Sequence, residues 1–144
     1  FVRNNPEHFR IAQFVFCEVV WNAASPARRE AMMKRGEPIR DTVVGIVESA
    51  VEAGDLDLRG LTPGEVTASL WCLSSGVHNL AHAVGVLQHF AVSDPYSLMC
   101  RQMQALLNGL GWKPLVDSSD AAQMAALIER IRNEVFHDCC GKNE

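Results

Sequence analysis

The chain has 144 residues, 48% of them hydrophobic and 21% charged, enough for one domain with a core of its own. Its formal net charge of −4 gives no electrostatic drive toward nucleic acid or an anionic membrane surface, and most of the excess lies late: from Asp117 onward there are six acids against three bases. The five cysteines, at 17, 72, 100, 139 and 140, are odd in number and form no CxxC pair, so neither a disulfide framework nor a zinc knuckle is expected, and a reducing cytoplasm is the expected compartment.

No apolar run reaches the roughly 18 residues of a membrane span, and there is no signal peptide, so no membrane partner is expected. The chain begins at Phe1, without a methionine and in mid-pattern, and reads as a fragment whose beginning lies elsewhere. The pattern throughout is helical. Alternation of the strand kind is absent, whereas a polar residue followed by proline recurs at Asn5-Pro6, Ser25-Pro26, Thr62-Pro63 and Asp94-Pro95. The fold class expected is all-α, an antiparallel helical bundle.

A first helix is predicted from Pro6 to about Asn22. Phe9, Ala12, Val15, Phe16, Val19 and Val20 make its apolar face, and Arg10, Gln13, Phe14, Cys17, Glu18 and Trp21 its mixed side. A short basic segment, Pro26 to Arg35, is expected to end at Gly36. Pro38 then opens another helix with Ile39, Val43, Ile46, Val47 and Ala50 on one stripe, closed by a left-handed Gly54.

The central helix opens with Thr62-Pro63-Gly64-Glu65: a capping hydroxyl, a proline at the first helical position and a carboxylate three residues after the cap. At about 100° per residue it sorts into three stripes. Val66, Leu70, Leu73, Val77, Leu80 and Val84 are aliphatic. Ala68, Ser69, Cys72, Gly76, Asn79 and Ala83 are small. Thr67, Trp71, Ser74, Ser75, His78 and His82 are aromatic and hydrogen-bonding. With no charge after Glu65, the helix is expected to be buried on all sides.

Beyond it, Asp94-Pro95 opens a helix to about Leu110 with Tyr96, Met99, Met103, Leu106 and Leu110 facing the core. A separate seam holds Leu98, Gln102, Ala105, Gly109 and Trp112. Ser118 or Ser119 is expected to cap a last amphipathic helix, running to His137, with Met124, Leu127, Ile128, Ile131 and Val135 on one side.

Three functional patterns are legible. His78 and His82, four apart on one helix face, have the spacing that lets two imidazoles share a metal ion, but Asn79 stands where a metalloprotease helix needs glutamate and no third ligand is evident. Cysteine catalysis would need a thiolate held by a base, and Cys17 and Cys72 lie mid-pattern among apolar neighbours. Phe14, Cys17, Trp21, Trp71, Ser75, His78 and His82 instead combine apolar walls with a few polar groups, the composition of a small-molecule cavity. That cavity is expected between the first helix, the Pro38–Ala53 helix and the central helix.

The segments FVRNNPEHFRIAQFVF, VESAVEAGDLDLRGLTPGEVTASLWCLSSGVHNLAHA and DPYSLMCRQMQALLNGLGW, in this order, resemble the ligand-binding and dimerisation domain of the TetR (tetracycline-repressor-like) family of bacterial transcription regulators. The resemblance covers about Phe1 to Trp112. It implies residues 1–114 as a ligand-binding and dimerisation domain, with residues 115–144 a helical extension beyond the family core. Phe1 to Asn4 would end the long helix that connects to a helix-turn-helix domain, absent from this chain, through which alone operator DNA is bound. It also implies a homodimer paired through the last two core helices. Cys72, Gly76, Asn79 and Ala83 would permit close approach there, and Leu98, Gln102, Ala105, Gly109 and Trp112 would repeat across the two-fold axis. A small-molecule effector is the expected ligand; no cofactor, catalytic residue or metal site is expected. Two other classes stay open: a helical enzyme or metal-binding bundle using His78 and His82, and a helical interaction module without a ligand.

Overall fold

The computed structural model describes residues 6 to 135. Among these it is all-helical, with α1 (Pro6–Val15), α2 (Glu18–Ala23), α3 (Pro26–Glu52), α4 (Pro63–His82), α5 (Val86–His89), α6 (Pro95–Gly109) and α7 (Ala121–Glu134). Phe1 to Asn4, the Cys139-Cys140 pair and the end of the last helix at His137 lie outside the described residues.

Helix starts follow local chemistry. The Thr62 hydroxyl accepts from the Glu65 N–H while the Glu65 carboxylate accepts from the Thr62 N–H at 2.7 Å, a complete capping box on α4. That backbone N–H, and then the Thr62 hydroxyl, hold the Glu65 carboxyl below its ordinary pKa. Asp94 accepts from the N–H groups of Tyr96 and Ser97 at the start of α6, and Ser25 from that of Arg28 at the start of α3.

Three expectations are corrected. The first helix is two: the N–H groups of Phe16 and Cys17 reach only the carbonyls three residues back, and Cys17 is extended (φ −62°, ψ 133°) before α2 starts. The β-branched Val15, Val19 and Val20 weaken a continuous helix here. The break turns the Phe16 ring onto Trp21 and Trp71, so tertiary aromatic contacts offset the lost helical bonds.

Gly36 and Pro38, by contrast, interrupt nothing; α3 runs through both. The other helices that open on a proline have Asn, Ser, Thr or Asp before it in the sequence, whereas Glu37 offers no such short cap. Two new helix ends without caps would leave more backbone groups unbonded than the single hydrogen bond Pro38 removes. The last helix is capped by Asp120, which accepts from Ala122 and Gln123, rather than by Ser118 or Ser119. Ser119 is engaged upstream, donating through both N–H and hydroxyl to Asp117 and lowering that carboxyl's pKa.

α4 packs between α3 and α6. The core there is small: Val47 from α3, Leu56 from the connector, Val66 from α4 and Leu110 after α6, with Ala50, Val51, Leu58 and Trp112 packed against it. The connector is held to the far end of α6 by Lys113, whose N–H donates to the Asp55 carbonyl at 2.9 Å and whose ammonium donates to the Gly54 carbonyl. Gly54 (φ +73°) closes α3 in the left-handed region, as expected. Arg101 donates to the Ser118 carbonyl and Asn108 to that of Val116, which fastens the segment before α7 along α6.

The central helix is not buried on all sides. Within it only Val66 and His78 are buried; Trp71 is 54% exposed, and Cys72, Gly76, Asn79 and Leu80 are exposed as well. An uncharged surface thus faces outward along α4. Ile11, Phe14, Val19, Ile39 and Phe90 are also exposed.

Candidate functional site

A groove of about 830 Å3 runs between α1, the turn at Phe16-Cys17 and α4. Of the residues expected to line a pocket it gathers Phe14, Cys17, Trp71, Ser75 and His82. It also takes Arg10, Gln13 and Phe16 from the first helix and its turn, and Gly76, Asn79 and Ala83 from the small stripe of α4. α3 supplies none of the lining residues, so the expected three-helix cavity is corrected to an open two-sided groove. The reason is the packing partner: α3 meets α4 on the side of Val47 and Val66.

Two contacts fix the direction of the walls. Phe16 meets Trp71 edge-on, with ring centroids 5.3 Å apart and planes at 80°. The Gln13 amide donates to the Ser75 carbonyl at 3.2 Å. Descending positions on α1 therefore match ascending positions on α4, and the two helices run antiparallel along the groove.

Trp21 and His78 are not lining residues. Trp21 stands behind Phe16, stacked on it at 5.5 Å and 28°. His78 is buried, the residue only 2% exposed, and its Nδ1 shares a 3.0 Å hydrogen bond with the Tyr96 hydroxyl of α6. Burial first, then the neighbouring His82 and Arg10, lower the His78 pKa below its ordinary value, so the ring is neutral near pH 7. His82 donates its Nδ1–H to the His78 carbonyl at 3.1 Å, since a carbonyl only accepts. The two rings lie 4.4 Å apart and 37° from parallel, side by side along the helix. Among the described residues no group of three or more His, Cys, Asp or Glu is placed to hold a metal ion.

The expected dimer seam is split by its surroundings. Gln102, Ala105 and Gly109 form an exposed line on α6 and Leu98 is half-buried, while Trp112 packs against the core cluster. On α4, Cys72 is exposed outside the groove, whereas Gly76, Asn79 and Ala83 belong to the groove wall.

Arg10 and Gln13 could have been read as site residues from their place beside Phe14 and Cys17 on the mixed side of the first helix. Phe16 could not, because its turn toward Trp71 depends on the helix break. No family model, no curated protein and no solved structure matches this chain.

Proposed function

We propose that residues 1–114 are the effector-sensing and dimerisation domain of a TetR-like transcription regulator. In this reading a small molecule occupies the α1–α4 groove, two copies pair through α6 with the neighbouring surface of α4, and operator DNA is bound by a segment preceding Phe1. The observation that carries the reading is the groove itself: aromatic walls, a few polar groups, and a volume of about 830 Å3 in the range of small-molecule sites. Cys72 and Leu80, exposed on α4 outside the groove, and the Gln102–Ala105–Gly109 line support pairing, because they leave an uncharged surface open to a second copy.

Ligand binding acts here as a bias between two arrangements of the pair, and it shifts them only by its differential affinity. α1 is the lever: it forms one groove wall and leads directly to the start of the chain. The domain is a binding module in this account, not an enzyme. His78 and Tyr96 join α4 to α6, and His82 is oriented by its own backbone, which suits relay of a groove event to the pairing helix. The test is a thermal-shift screen of a small-molecule library on the chain and on Trp71→Ala. The reading expects compounds that stabilise the first by several degrees and lose that effect on the second. A screen without any Trp71-dependent stabilisation contradicts it.

A further inference from the structure

The groove has a chemical direction. At one end stand Phe16 and Trp71, with Trp21 stacked behind, all apolar ring surface. At the other stand Arg10, Asn79 and His82, and from Trp71 to His82 the helix rises about 16 Å. The chain carries 17 acids against 13 bases, yet among the described residues no carboxylate lines the groove and Arg10 is the only permanently charged wall residue. The Asn79 amide makes no hydrogen bond among the described residues, so its donors are open to an occupant. The fixed Nδ1–H of His82 likewise commits only one of its ring nitrogens.

Among the described residues the ion-pair partner of Arg10 is Glu7, at 2.9 Å. Both side chains are more than half exposed, and a solvated pair one helical turn apart holds its partners weakly. The guanidinium can therefore exchange Glu7 for a ligand anion with two parallel N–H donors, at small cost to the protein. Resting on the groove reading above, we infer that the occupant is a small planar aromatic molecule bearing one anionic group, its ring against Phe16 and Trp71 and its anion at Arg10 and Asn79. A neutral ring loses the charge-assisted contact. A cationic one meets Arg10 unfavourably, and the Glu7 carboxylate beside it is already paired with that guanidinium.

Three probes of one shape separate these cases: 2-naphthoate, 2-naphthamide and 2-naphthylmethylammonium, measured by equilibrium dialysis against the chain. The expected order is naphthoate tightest, by about tenfold over the amide, with the ammonium weakest. Arg10→Gln should remove the preference for naphthoate over the amide. Glu7→Gln should widen it by releasing Arg10, and Trp71→Ala should weaken all binding alike. Equal binding of amide and naphthoate, or a preference that survives Arg10→Gln, overturns the anion assignment. If the amide or ammonium binds in a Trp71-dependent way with no preference for naphthoate, the groove reading stands and the anion assignment falls. If no probe binds, or none depends on Trp71, both fall.

Discussion

The ring of Phe16 presses edge-on against Trp71 from a centroid distance of 5.3 Å, and this pair closes one end of the groove where the first helix breaks. The same ring stacks on Trp21, so one side chain joins the turn at Cys17, α2 and α4. Phe16→Ala removes both contacts. Aromatic pairs contribute about 0.5–1.5 kcal/mol each beyond their burial, and Phe16 is itself partly exposed, so a total loss of about 1–2 kcal/mol is expected in urea unfolding. The tryptophan emission should shift to the red as Trp71 gains water. A variant with unchanged stability and emission would show that the pair does not hold the turn.

The hydrogen bond from Tyr96 to His78 joins α6 to α4 at 3.0 Å. Tyr96→Phe keeps the ring and removes the hydroxyl, with an expected cost of about 0.5–1.5 kcal/mol in denaturant unfolding. An unchanged midpoint would mean that the bond adds nothing to the packing of the two rings.

Acid should weaken the fold through His78. Its pKa is lowered in the folded state by burial, His82 and Arg10, so the unfolded chain binds the proton more readily. The number of bound protons is then larger in the unfolded state from about pH 6.5 downward, and stability rises with pH through that window. On acidification from pH 7 the contribution is lost progressively below the ordinary histidine value, until the folded-state pKa is passed. Unfolding midpoints between pH 7.5 and 5 should fall more steeply for the parent chain than for His78→Asn. Identical slopes would remove His78 as the source.

Pairing through α6 is tested without disturbing the single chain. Ala105 is exposed, and a Cβ added at Gly109 meets nothing within 4 Å, so Ala105→Glu and Gly109→Arg leave the protomer's own packing intact. The pairing proposal expects a dimeric parent chain and monomers for both variants in sedimentation velocity, with helix content the same. Intact dimers would place the interface elsewhere.

What could be read from the residues was local. The caps at Thr62 and Asp94, the left-handed Gly54, and the core positions Val47 and Val66 depend on neighbours in the chain, and they appear where spacing put them. Positions decided at a distance were misread. A continuous helix puts Phe16 on the apolar face, and only the break at Cys17 turns it toward Trp71. Pro38 has the look of a helix start, but Glu37 before it supplies no short capping side chain. His78 shared a stripe with Trp71, yet Tyr96 draws it inward while Trp71 stays half in solvent. Most of the groove was visible as two mixed helix sides, but which third element would close it was not, since α3 packs on the opposite side of α4.

The central claim is that one chain both pairs and responds to a groove ligand. The most direct measurement fuses a monomeric helix-turn-helix head ahead of Phe1 and follows its binding to paired and single half-sites by fluorescence anisotropy. The account predicts tight binding to the paired site only, loss of that advantage in Gly109→Arg, and a change in affinity with 2-naphthoate that Trp71→Ala abolishes. Equal affinity for single and paired half-sites, or paired binding indifferent to every groove ligand, would contradict it.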